Sequence, residues 1–187
     1  QYINSTPMLS DELARSLFRG LAEGIHFCHN LGIHHRDLKL ENIFLVPQTG
    51  GRVLVKVLDF GIVRLLDDDT PDLSAVGFAV GTPAYMSPEQ VLGKNADLDA
   101  RSDLYSLGVV LYEMLTGGAP FEGSNEYEIF TKHVHGRIPR LGLTRPDLDG
   151  TRLEALVRDM MAKKRGDRPE SAREVEERLY DALAECQ

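Results

Sequence analysis

The chain has 187 residues, 42% of them hydrophobic and 27% charged, the make-up of one globular domain with a core of its own. Its 21 basic and 29 acidic residues give a net charge of −8, so no cationic surplus exists to displace phosphate counterions and a general nucleic-acid binder is excluded. No apolar run has membrane-span length and no signal-peptide pattern opens the chain; with two lone thiols, Cys28 and Cys186, the expectation is a cytoplasmic segment with no membrane contact, disulfide framework or structural zinc.

The first predicted element is a helix over residues 10–31. Ser10 with Asp11 and Glu12 is an N-terminal signal, Leu13, Leu17, Leu21 and Ile25 recur at helical spacing, and Asn30-Leu31-Gly32 ends it. Two β-branched runs follow, Ile43–Val46 and Val53–Leu58, separated by Pro47-Gln48-Thr49-Gly50-Gly51, and read as a hairpin. Residues 62–101 carry several glycines and prolines and the triplet Asp67-Asp68-Asp69 with little periodicity; so long a loop points to function or disorder. The triplet itself reads as a solvated loop face rather than a metal site. Residues 103–116, DLYSLGVVLYEMLT, are apolar nearly all round and predict a buried central helix. Helices near 124–135, 151–163 and 171–184 follow, the last two opening on the capping-box patterns Thr151-x-x-Glu154 and Ser171-x-x-Glu174. No internal repeat or low-complexity tract occurs. The expected fold is mainly α, a helical bundle with one small β-hairpin.

Between the first helix and the hairpin lies HRDLKLEN, residues 35–42, which places Asp37, Lys39 and Asn42 within six positions. An aspartate can orient a hydroxyl and accept its proton, a lysine can neutralise a transferring anion, and an amide oxygen is a hard ligand suited to magnesium. Asp59-Phe60-Gly61 ends the second strand, where a carboxylate could share the metal of Asn42 and Gly61 would let the chain break sharply. An acid, a cation and two metal ligands form a phosphoryl-transfer set, in which catalysis is mainly positioning and charge neutralisation. On these residues the chain resembles the protein-kinase family. HRDLKLEN is similar to its catalytic loop, Asp59-Phe60-Gly61 to its magnesium-binding turn, and Ser87-Pro88-Glu89 stands where the family has Ala-Pro-Glu. GTPAYMSPE, residues 81–89, and ARSDLYSLGVVLYEMLTGGAPFEG look most like the bacterial Ser/Thr kinases. A chance match to the seven specified positions of HRDLKxEN, at about 5% each, is of order one in 10⁹.

The resemblance implies a role for each matching residue. Asp37 would be the base, Lys39 a γ-phosphate ligand, and Asn42 and Asp59 the holders of Mg²⁺ beside ATP. Thr82 would contact Asp37 and Lys39 and help select a hydroxyl acceptor. Asp103 would bond the catalytic-loop backbone and Arg168 would pair with Glu89, as structural parts. His35 reads as structural and His34 as a packing histidine. Glu41 is a candidate for meeting an arginine of a substrate peptide. Arg36, directly before the base, would receive a phosphate on the activation segment, residues 59–89, at Thr70 or Ser74. The helical subdomain would run over 102–187.

The resemblance also implies parts that the 187 residues do not show. No GxGxxG occurs, and no strand lysine of the VAIK kind; Lys56 belongs to the strand that leads into Asp59. The expectation is therefore a C-terminal lobe, N-terminal lobe absent, inactive alone and completed by an N-lobe in cis, from a parent Ser/Thr protein kinase acting on protein substrates. The alternative is a non-catalytic binding or scaffold module that self-associates or binds a partner through apolar surface near Leu45, Leu58 and Phe60. GTPAYMSPE, a peptide-seating segment, disfavours a small-molecule kinase.

Overall fold

The computed structural model describes residues 11–49, 53–60 and 81–184. Gly61, Asp67-Asp68-Asp69, Thr70, Ser74, the Ser10 cap and Cys186 therefore lie outside the described residues.

Helix α1, Asp11–Asn30, buries Leu17, Phe18, Leu21, Ala22 and Ile25, spaced so that they share one face. It stops at Gly32, whose φ of 73° is left-handed, as the N–H groups of Leu31 and Gly32 turn back to the Cys28 and His29 carbonyls at 3.0 Å. After a 3-10 turn at Leu40–Asn42 come β1, Ile43–Pro47, and β2, Val53–Val57. They pair antiparallel from Ile43 opposite Val57 to Pro47 opposite Val53. Gly20 lets this hairpin approach α1, since a Cβ there would stand 3.3 Å from the Val55 methyl.

Between residue 81 and α3 the expected irregular stretch is broken into short elements: a 3-10 turn at Pro83–Tyr85, helix α2 at Pro88–Val91, and a 3-10 turn at Asn95–Asp97. Helix α3, Ala100–Thr116, begins three residues before the predicted start, because the Asp99 carboxylate accepts from the Arg101 N–H at 2.8 Å and caps it. It is buried nearly throughout and ends on left-handed Gly117, φ 80°. Gly108 is where α5 crosses it: a Cβ there would lie 2.9 Å from Met160 Cβ.

Helices α4, Glu126–His135, α5, Arg152–Met160, and α6, Ala172–Ala184, complete the bundle, with α6 packed on α1. The two predicted capping boxes close only on one side. Thr151 and Ser171 accept from the N–H of Glu154 and Glu174 at 3.2 Å each. The glutamates, however, reach back one residue further, to the N–H of Gly150 and of Glu170. A reciprocal box forms instead at α2, where Ser87 Oγ accepts from Gln90 N and Gln90 Oε1 from Ser87 N. A helix of one turn carries no periodicity, so its cap does not stand out in the sequence.

Of the three residues expected to form an exposed apolar face, only Leu58 is exposed, at 40%; Val53 and Leu54 of β2 are exposed as well. Leu45 packs against the core, and the Phe60 ring rests on His35 with centroids 4.6 Å apart. Among the described residues no helix is long and apolar enough to cross a membrane.

Candidate active site

The loop between α1 and β1 is held from below by α3. Asp103, almost fully buried in the first turn of α3, accepts from the His35 N–H and the Arg36 N–H at 2.7 Å each, and from His29 Nε2 at 2.8 Å. A buried carboxylate needs such donors, and here they fix the loop. His35 is fully buried: its Nε2 lies 2.9 Å from the Leu58 carbonyl and its Nδ1 3.3 Å from the Asp37 N–H. A carbonyl only accepts and an amide N–H only donates, so the ring is neutral with its proton on Nε2. Held in this way, Arg36 adopts a left-handed backbone, φ 66°, and Leu38 and Leu40 drop into the core.

Above this floor Asp37, Lys39 and Thr82 meet, although Thr82 is 45 residues on from Asp37. Lys39 Nζ donates to Asp37 Oδ2 at 2.9 Å and to Thr82 Oγ1 at 2.8 Å. Thr82 donates its N–H, at 3.1 Å, and its hydroxyl, at 3.4 Å, to Asp37 Oδ1. Gly81 permits the approach with φ 143°; a side chain there would meet Met86 at 3.0 Å. The carboxylate is thus oriented through both oxygens, yet its side chain keeps 29% of its surface open, so an incoming hydroxyl can reach it.

Asn42 is buried, and its amide nitrogen donates to the Asp37 carbonyl at 3.0 Å, which leaves its oxygen as the atom for a cation. Its own carbonyl accepts from the Leu58 N–H at 2.8 Å, continuing the hairpin ladder one step so that Asn42 stands opposite Leu58, the residue before Asp59. Asp59 is exposed and left-handed, φ 55°. An amide oxygen plus one carboxylate fits Mg²⁺, which takes few protein ligands and fills its octahedron with phosphate and water. Among the described residues no cluster of three or more His, Cys, Asp or Glu could cage a metal instead.

Comparison with known proteins decides the family. The protein kinase domain model matches residues 1–180. The chain belongs to the protein kinase family. This kinase chain is 46% identical over 147 residues to the serine/threonine-protein kinase pkn3 of Myxococcus xanthus, covering 77% of the chain and 26% of that protein. It is 41% identical over 173 residues to pkn2 of the same organism, covering 91% of the chain and 20% of the relative. It superposes on the solved PknI kinase domain of Mycobacterium tuberculosis with a TM-score of 0.69 at 25% identity, covering 95% of this chain and 58% of that one. The kinase chain therefore spans about a quarter of the length of these curated relatives.

Glu89 and Arg168 of the kinase chain, 79 residues apart, form a buried two-pronged pair at 2.7 and 2.8 Å. Burial pushes the Glu89 carboxyl up, but the hydrogen bonds and charge of Arg168 and the Ser102 hydroxyl outweigh it and hold it below the usual carboxylate range. The kinase chain also uses residues that its sequence did not single out. His29, on the last turn of α1, is the third donor to Asp103. Tyr85 donates its hydroxyl to Glu113 at 2.6 Å, and the charge of exposed Glu41 acts on both, raising the Glu113 carboxyl after burial has already done so. Gln90, on α2, donates to the Arg36 carbonyl at 2.8 Å. Each is a lone polar residue on a helix or turn and reads locally as a solvated face, and the Ser87-x-x-Gln90 spacing, without a periodic run behind it, does not mark Gln90 either. Arg36 is half-buried, and Thr70 and Ser74, the residues expected to carry its phosphate, lie outside the described residues.

Proposed function

We propose that this chain is the C-terminal lobe of a Ser/Thr protein kinase that transfers the γ-phosphoryl group of ATP, with Mg²⁺, to Ser or Thr of a protein. The catalytic loop is 35–42, the activation segment 59–89, and the helical subdomain 102–187. The observation that carries the reading is the closed triangle of Asp37, Lys39 and Thr82. Asp37, oriented by Thr82 and Lys39, aligns the acceptor hydroxyl and takes its proton. Lys39 offers the cation beside it, and Asn42 and Asp59 are the residues to hold Mg²⁺, which supplies charge neutralisation on the phosphates. Arg36 is the residue proposed to receive a phosphate on Thr70 or Ser74. An N-terminal lobe in cis supplies the rest of the nucleotide site, a reading supported by coverage of only 58% of a solved kinase domain.

The test is transfer of labelled phosphate from ATP to a Ser/Thr-containing protein substrate, with MgATP binding followed by calorimetry. Transfer is expected once an N-terminal lobe is joined to the chain, and none from the 187 residues alone. A lobe-joined protein that binds MgATP without transferring label would overturn the catalytic reading in favour of a binding or scaffold module. That second reading has the exposed Val53, Leu54 and Leu58 on the hairpin as its support, and self-association of the chain would express it.

Glu41 is proposed to read an arginine of the substrate peptide. It is exposed, and its charge helps to raise the Glu113 carboxyl. Peptides with an arginine just before the acceptor are expected to be phosphorylated about tenfold more efficiently than alanine versions, a gap of about 1.4 kcal/mol that Glu41→Ala removes. Equal rates for the two peptides would end the assignment.

A further inference from the structure

Arg36 is the residue before the proposed base, and its backbone is in a region that costs a non-glycine residue about 1–3 kcal/mol unless its surroundings impose it. The surroundings can be named. The Arg36 N–H is held by Asp103 on α3 at 2.7 Å. The next peptide plane, Arg36 to Asp37, is held at both ends. Its N–H, on Asp37, donates to His35 Nδ1 at a long 3.3 Å. Its carbonyl, on Arg36, accepts from Gln90 Nε2 at 2.8 Å. Gln90 is 4% exposed, and its other polar atom is spoken for, since Oε1 accepts from the Ser87 N–H at 2.9 Å. The amide therefore cannot flip: a turned side chain would set its oxygen against the Arg36 carbonyl and its NH₂ against the Ser87 N–H.

We propose that Gln90 is a positioning residue for the Asp37 base: by holding the Arg36 carbonyl it stops the Arg36–Asp37 peptide plane from turning, and so couples the end of the substrate-seating segment to the catalytic loop. The coupling is short. Glu89, next to Gln90, is anchored on Arg168 and Ser102, while Thr82, at the other end of the same segment, touches Asp37 itself. The segment thus grips the base's side chain through Thr82 and its backbone through Gln90. The weaker of the two bonds on the peptide plane, that to His35, is the one that remains when Gln90 is removed.

Two substitutions separate this tether from the capping of α2. Gln90→Glu keeps an acceptor for the Ser87 N–H but places an oxygen against the Arg36 carbonyl. Ser87→Ala removes the hydroxyl that caps Gln90 N and leaves the tether untouched. The proposal rests on Asp37 acting as the base, so the two readouts are chosen to fail separately. In the 187-residue chain, hydrogen exchange at the Arg36 and Asp37 amides is expected to speed up about tenfold or more in Gln90→Glu and to stay unchanged in Ser87→Ala. In the lobe-joined kinase, Gln90→Glu is expected to lower kcat about tenfold or more with KM for ATP held.

A pH signature belongs to the tether alone. The new carboxyl is buried against a carbonyl, which favours its protonated form, and a protonated carboxyl can donate to Arg36 again. The kcat of Gln90→Glu relative to wild type is therefore expected to recover as pH falls. Should that variant fail to fold, Gln90→Met, of similar volume and without polar atoms, is expected to show the same faster exchange with no recovery at low pH. Unchanged exchange at Arg36 and Asp37 in both Gln90 variants, or equal effects of Gln90→Glu and Ser87→Ala, overturns the proposal. Absence of transfer by the wild-type lobe-joined protein overturns the catalytic reading and leaves the exchange result to decide the tether.

Discussion

Replacing Arg168 by alanine is expected to destabilise the fold by about 3–5 kcal/mol, the cost of leaving a buried charge without its partner. Arg168 is 3% exposed and Glu89 6%, so neither can turn to water when the other is removed. The guanidinium also donates to the carbonyls of Ala162, at 2.8 Å, and Arg101, at 3.0 Å, and lies over the Tyr105 ring at 4.9 Å. Without it, the Glu89 carboxylate keeps the Ser102 hydroxyl, at 2.7 Å, and its own backbone N–H. Urea unfolding monitored by circular dichroism measures the loss. A change below about 1 kcal/mol would place the pair with exposed ion pairs and sink this account of it. The companion double variant, Arg168→Met with Glu89→Leu, is expected to recover most of the loss, since apolar groups can replace a buried pair without penalty.

The pair also sets an acid limit. The folded carboxyl of Glu89 sits below its ordinary value of 4.5, so the stability it brings is complete above that value and is lost as pH falls through the lower folded one. Two neighbours add to the profile. Burial and the Lys163 charge pull His133 down from 6.5 to about 4, so it too withdraws stability as pH falls below 6.5. Burial and the Arg168 charge pull Lys163 down from 10.5 to about 8; its cost is full below about 8 and is relieved as pH rises towards 10.5. Stability of the wild type should therefore fall on the acid side of neutrality and not on the alkaline side up to about 10, and Arg168→Ala should flatten the acid limb.

Replacing Asp37 by asparagine is expected to cost phosphotransfer about 10²–10⁴-fold while leaving the fold in place. The amide that replaces the carboxylate keeps an oxygen for the Thr82 N–H, so the triangle loses its contact to Lys39 but not its shape. With 29% of the side chain open to solvent, the change removes no buried charge and its effect on stability is expected to stay within about 1 kcal/mol. Initial rates in the lobe-joined kinase, beside a thermal melt of the same variant, read the two effects separately. Transfer within tenfold of wild type would show that the proton goes elsewhere. A melt that collapses with the rate would instead make Asp37 a structural residue.

The elements were legible where they carry long-range periodicity. Leu17, Leu21 and Ile25 announce α1, the β-branched runs announce the hairpin, and the unbroken apolar stretch of α3 announces a core helix. Their ends were less so: α3 starts at Ala100 because Asp99 caps it, and the glutamates of the two expected boxes turned to Gly150 and Glu170 because side chains take the nearest free N–H in space rather than in pattern. The site divides the same way. Asp37, Lys39 and Asn42 share a single loop, so their grouping is written within eight consecutive residues. Glu89 with Arg168, and Asp103 with the loop above it, came only through resemblance to a family, since no local rule links residues so far apart.

Hydrophobic spacing and local composition are sufficient causes for a mainly helical bundle with one hairpin, and for a loop bearing an acid, a cation and an amide. Packing is what gives Asp103 its donor His29, and what brings Gln90 to the Arg36 carbonyl 54 residues away. A polar side chain on a helix carries no mark of its partner. Its hydrogen bond acquires energetic meaning only when packing takes both ends out of water, and that happens only when distant segments meet.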